Sequence, residues 1–297
     1  MRMINKGVTR IIVTSTNNDV VLFNKFLNHP EFPQHRNMIL RSFPELEKLI
    51  NVSLNEAETV GDFVDSYYKI NEKNILTAID EAKAELMSSE EALVALGQMM
   101  GYEWRSEQNY IATPTILPFS PFSGATFNFS ILDRVTGAGK RSILNTAIHE
   151  ISHFVFFDIL AVIERENNLS LSSDAKYYLK EALTAALFNE EPLKSILKID
   201  VYSGNQEVRD LYIKSNSEKS PLKFADFIRS MYREKINDKK SFSFFLTELV
   251  LLFDKISKEL TVKRKIWNTY GKDLIKNPEV FRRYQEPIMV KTVPKSL

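Results

Sequence analysis

Apolar positions along the chain follow two different periods. From 8 to 15 the run VTRIIVTS is β-branched and closes on Asn17-Asn18-Asp19, which predicts a strand ended by a turn. The stretch up to Gly101 reads mainly as helix. Within it, NILTAIDEAKAELMSSEEALVALGQMMG places apolar residues three and four apart and stops at glycine, as an amphipathic helix does. The texture then changes. Residues 109–133, NYIATPTILPFSPFSGATFNFSILD, are rich in Thr, Phe, Pro and Ile, which predicts strands at about 109–117 and 125–132 around a Pro/Ser/Gly turn. The prolines favour an exposed sheet edge.

After the turn at 137–139 comes RSILNTAIHEISHFVFFDILAVIERENN. Its apolar residues Ile143, Leu144, Ile148, Ile151, Phe154, Val155, Phe156 and Ile159 cover most of a helical circumference, the signature of a core helix. Everything beyond reads as helix: 172–189, roughly 205–215, 221–235, 241–259 and about 261–275, followed by a Pro-containing tail. No internal repeat or low-complexity linker interrupts the pattern. The expected fold class is α+β: a mixed lobe with a small sheet over 1–160, ending in the buried central helix, then a mainly helical lobe over 161–297 with a basic tail.

Charge and composition narrow the chemistry. Thirty-nine Lys and Arg against 38 Asp and Glu leave a net charge of +1, so no global field draws the chain to nucleic acid or an anionic membrane. The basic clusters Lys263-Arg264-Lys265 and Arg282-Arg283 come with no nucleic-acid motif and read as a solvated helix and tail. The segment GAGKRS at 137–142 fails as a phosphate loop, because Arg134 and Arg141 stand where Gly and Ser/Thr are required. The apolar run Ile11 to Val13 is too short for a signal-peptide core, and 241–253 is too short to span a bilayer and contains Glu248. A cytoplasmic protein without a membrane partner is expected. The absence of cysteine removes disulfides, thiolate metal sites and cysteine nucleophiles, so metal chemistry must use His and carboxylate.

Two of the four histidines stand in His149-Glu150-Ile151-Ser152-His153, which matches H-E-x-x-H. Positions i and i+4 share a helical face, so both imidazoles can reach one Zn2+ ion, while the adjacent Glu150 can act as a general base on metal-bound water. Asn145, one turn earlier, extends the polar stripe. His29 and His35, in the Pro-punctuated NHPEFPQHRN, are expected in a solvated loop. A catalytic zinc needs a third ligand. A metzincin would place Gly at 156 and His at 159, where this chain has Phe156 and Ile159, and no histidine follows His153. The third ligand is therefore a carboxylate. Asp158, Glu164 and Glu166 are poorly placed on the same helix. Glu181 is the better candidate, on a new helix capped by Ser172-Ser173-Asp174, where Ala182, Ala185 and Ala186 permit close packing. Glu190 and Glu191 read as solvated.

With these residues in place, 109–190 resembles the gluzincins, the thermolysin-like H-E-x-x-H metallopeptidases completed by a glutamate on the following helix. The resemblance implies a zincin-like fold, His149, His153 and Glu181 as Zn2+ ligands, Glu150 as the catalytic base, and a peptide or protein substrate added as a strand along Ala125 to Ser130. Many gluzincins carry an Asp four residues after the glutamate. Here that place is Ala185, so support for the ligands must come from elsewhere, with Asn145 or Thr184 as candidates. An oxyanion-stabilising group would come from Tyr177, Tyr178, Tyr202, Tyr212 or Arg209. The expected activity is zinc-dependent peptide hydrolysis. The rival readings are a non-catalytic binding or regulatory protein on the same scaffold, and a zinc hydrolase of a non-peptide amide or ester.

Overall fold

The computed structural model describes residues 10–14, 18–30, 33–105, 108–123, 126–216 and 219–290. Positions 8, 9 and 15 of the first expected strand, Ala125 and the tail from 291 lie outside them. The architecture is α+β and predominantly helical, with two small sheets. The chain forms two compact units, 1–93 with 104–151 and 94–103 with 152–297.

The first unit holds β1 (Arg10–Val13), helices α1 (Asp19–Leu27), α2 (Pro33–Ser42), α3 (Pro44–Val52), α4 (Glu56–Ile70) and α5 (Glu72–Leu86), then β2 (Asn109–Thr115), β3 (Phe122–Ser123), β4 (Thr126–Ser130) and α7 (Leu132–Thr136). Helix α6 (Ser89–Met100) crosses into the second unit, so the long helical pattern before Gly101 is two helices broken near Met87. Phe23 of α1, Phe43 at the cap of α3 and Phe63 of α4 interlock, with ring centroids 5.5 Å apart in each successive pair. Burying each such ring contributes roughly 2–3 kcal/mol. The buried Asp19 opens α1 and accepts from Ile116 N at 2.9 Å, from Tyr68 Oη at 2.7 Å and from Thr115 Oγ1. His35 is not in a solvated loop. It lies in α2, stacked on Phe119 at 4.5 Å and edge-on to Phe26 at 5.1 Å.

The first sheet has the order β1-β2-β4-β3, with β1, β2 and β4 parallel and β3 antiparallel to β4. Contrary to the expectation from its prolines, β2 is an inner strand. Pro114 is tolerated because β1 pairs only as far as Ala112, where Thr14 N donates to Ala112 O at 3.0 Å. Thr115 O, facing the other way, accepts from Ile131 N, so the Pro114 nitrogen lies on the β1 side, just beyond the last bond of that ladder among the described residues.

The second unit is built around α9 (Ser173–Phe188), whose residues from Tyr178 to Phe188 are all buried. Its N-cap Ser172 accepts from Ala175 N at 3.2 Å. Around it pack α10 (Leu193–Ile196), α11 (Gln206–Arg209), α12 (Phe224–Asn237), α13 (Phe242–Lys255) and α14 (Ser257–Tyr270). The expected helix over 205–215 is only the short α11, followed by β5 (Tyr212–Ser215). This strand pairs antiparallel with β6 (Leu222–Lys223) and parallel with β7 (Ile288–Val290), which follows α15 (Pro278–Gln285). A second sheet thus stands where only helices were expected.

The central helix, α8 (Ile143–Asn167), is long and apolar enough to cross a membrane by length and composition, with 56% of its most apolar stretch buried in the protein. Its N-terminus is held by a borrowed carboxylate. Glu85 Oε2, from α5, accepts from Ile143 N at 2.8 Å and Leu144 N at 3.3 Å, while Ser142 Oγ accepts from Asn145 N at 3.1 Å. Arg134, almost fully buried, clamps Glu85 and reaches Glu81 at 3.0 Å. The 137–142 segment is therefore the polar entry to α8, with Gly137 in the left-handed conformation at the end of α7.

Candidate metal centre

Helix α8 carries His149 and His153 one turn apart, and α9 brings Glu181 to them. One ligand atom from each of the three lies within 4.8 Å of the others. His153 and Glu181 are buried, at 1% and 6% exposure, and His149 is partly exposed. His153 Nε2 stands 3.9 Å from Glu181 Oε1. Ligands around a tetrahedral ion with bonds of about 2.1 Å sit about 3.4 Å apart, so small side-chain rotations bring this set to coordinating distance. Two imidazoles and a carboxylate can hold a metal ion. Glu150 is buried at 7% exposure, next to His149 and three positions before His153 on the same helix.

The register of α9 on α8 is set beside this group. Ser152 Oγ and Thr184 Oγ1 form a buried hydrogen bond of 2.7 Å. Thr184 thus fastens the helix rather than a ligand histidine. Ala185 packs against Gly204, which has φ of +63°: a Cβ on residue 204 would lie 3.0 Å from the Ala185 Cβ, so this close approach requires glycine there. Asn145 donates its backbone N–H to Ser142 and sits at the start of the helix.

Of the other carboxylates weighed on α8, Glu166 is exposed, and Asp158 and Glu164 have structural duties. Asp158 accepts from Tyr102 Oη at 2.6 Å, and Glu164 accepts from Leu171 N at 2.7 Å and from Lys176 at 2.9 Å, tying α8 to the turn before α9. Glu190 is not solvated. Its side chain is 13% exposed and is held by Arg229 and by Arg233 at 2.9 Å.

One turn before Glu181, Tyr177 belongs to a second buried polar group. Glu207, 1% exposed, accepts from Tyr177 Oη at 3.0 Å and Tyr178 Oη at 2.6 Å and pairs with Arg264, whose guanidinium lies 3.8 Å from the centre of the Tyr177 ring. Burial raises the Glu207 carboxyl above its ordinary range, against the opposing pull of Arg264 and the two phenols. Burial, and then the negative charges of Glu207 and Glu181, push the Tyr177 phenol well above its usual value. Both phenols are therefore neutral donors to Glu207. Of the other oxyanion candidates, Tyr202 packs on Phe188 at 4.7 Å, Tyr212 is in β5, and Arg209 lies beside Asp210 at 3.7 Å.

Two features depart from what the sequence predicts. The edge of β4 remote from β2 is taken by the chain's own β3, with Asn128 N donating to Pro121 O at 2.8 Å, so this is not an open edge for a substrate strand. The second feature is Lys180, which no motif singles out. It is 6% exposed, its Nζ lies 3.2 Å from His153 Nδ1, and it is paired with Glu181 Oε1. The signal available was a lone cation in an otherwise apolar stretch directly before the candidate ligand. Comparison of the chain with known protein families, with characterised proteins and with solved structures finds no match.

Proposed function

We propose that the chain is a zinc-dependent metallopeptidase of the gluzincin type, with His149, His153 and Glu181 as the ligands of a single Zn2+ and Glu150 as the general base. The observation that carries this reading is the convergence of a carboxylate from α9 on the two histidines of H-E-x-x-H. A dication held there supplies Lewis acidity toward a carbonyl and makes water more acidic. Glu150 takes a proton from the attacking water and delivers it to the leaving nitrogen, so that the product departs as a neutral amine and the carboxylate is restored. The buried surroundings of Glu150 and His153 keep bulk water away and strengthen the electrostatic interactions among them.

The test combines metal analysis with turnover. Purified protein is expected to contain about one zinc per chain, lost in His153→Ala and in Glu181→Ala, and to cleave a peptide library. Glu150→Gln should retain zinc and lose activity by about a hundredfold or more. Wild type that takes up no zinc even after supplementation, or Glu150→Gln with full activity, overturns the proposal.

A further inference from the structure

Lys180 is packed against both His153 and Glu181, and the proposed chemistry has no use for it. An ammonium has three donors and no acceptor. Its contact with His153 Nδ1 requires a lone pair on that nitrogen, which puts the ring proton on Nε2, the nitrogen 3.9 Å from Glu181 Oε1. A ligand imidazole coordinating through Nε2 needs the opposite tautomer, with its lone pair on Nε2 and its proton on Nδ1. The same ammonium engages the Glu181 oxygen that faces His153. One buried positive charge therefore occupies two of the three ligands, from the position adjacent to one of them on α9.

Resting on the metal-centre reading above, we propose that Lys180 is a tethered competitor for the metal: it holds His153 and Glu181 in place when no dication is bound, and a dication must push it off both. Two positive centres sharing one carboxylate in a buried site repel strongly. In its paired position the ammonium also lies 5.2 Å from the centre of the Tyr177 ring, one turn earlier on α9, a cation–π contact shared with Arg264. The site then binds metal more weakly than its ligands alone would, while the ligands stay organised before the ion arrives.

The experiment is a titration of the full chain with Zn2+ against a chelator of known affinity, comparing wild type with Lys180→Met and Lys180→Arg. The neutral Met variant should bind Zn2+ about tenfold or more tightly than wild type, and the Arg variant no more tightly. Equal or weaker binding by the Met variant overturns the competitor role and leaves the metal centre standing; loss by about tenfold or more, restored by Arg, makes Lys180 a supporting partner instead. A second measurement needs no variant. In wild type, the imidazole nitrogen NMR shifts of His153 should report the proton on Nε2 before Zn2+ is added and on Nδ1 afterwards. An Nδ1 proton before addition overturns the proposal even if Lys180→Met does not fold. Failure of both wild type and the Met variant to bind Zn2+ overturns the metal-centre reading itself, and this inference with it.

Discussion

Ser152 Oγ lies 2.7 Å from Thr184 Oγ1, a buried pair that joins the helix of His153 to the helix of Glu181 at the residue before one and three residues after the other. Because both residues are buried, removing either hydroxyl deletes a bond that water does not readily replace. Ser152→Ala or Thr184→Val alone should cost about 1–3 kcal/mol, and the double variant less than the sum. Denaturant unfolding in a double-mutant cycle measures this, and additive losses would show that the two hydroxyls do not act as a unit.

Glu85 offers a different kind of control, through the start of α8. It caps the first two amides of the helix and neutralises the buried Arg134. Glu85→Ala should destabilise the protein by about 1–3 kcal/mol, and Glu85→Gln by less, since a carboxamide oxygen can still accept from Ile143 N. A midpoint of urea unfolding equal to wild type in the Ala variant would contradict this role.

Asp19 makes stability depend on pH in an unusual direction. Burial raises its carboxyl above the ordinary value of 3.8, outweighing the donors Ile116 N, Thr115 and Tyr68 that favour the charged form. A raised folded-state value stabilises the fold most below the unfolded-state value, and that contribution is lost as pH rises through the folded one. Asp19→Asn keeps most of the hydrogen bonds without a charge. Its stability relative to wild type should therefore improve on going from pH 4 to pH 7, as read from unfolding midpoints, whereas Asp19→Ala should lose about 2–4 kcal/mol at both. A constant difference between wild type and the Asn variant would refute the shift.

The grouping of His149, His153 and Glu181 was legible because helical spacing joins the histidines and the search for a third carboxylate led to the next helix. His149 and His153 share a face by helix geometry alone, and Glu181 followed from the lack of any later histidine. Lys180 was not legible in the same way. Its role depends on the direction of a flexible side chain inside a packed core, which a helical repeat does not specify. The second sheet was hidden for another reason: β6 and β7 have two and three residues, and Ile213 finds its partner in Ile288, far along the chain. Strands that short have no period to read, and their pairing is a tertiary event. His35 misled because its prolines suggested a loop, while Pro33 in fact occupies the first position of α2, where a missing N–H costs nothing.

Pro114 also governs what the first sheet can attach to. Past Ala112, the side of β2 that faces β1 next presents a residue with a carbonyl but no hydrogen to offer. Any strand laid along that position gains one hydrogen bond fewer than a full ladder would give. The residue that looked like a mark of an outer strand instead stands in an inner one and limits how far its ladder can run.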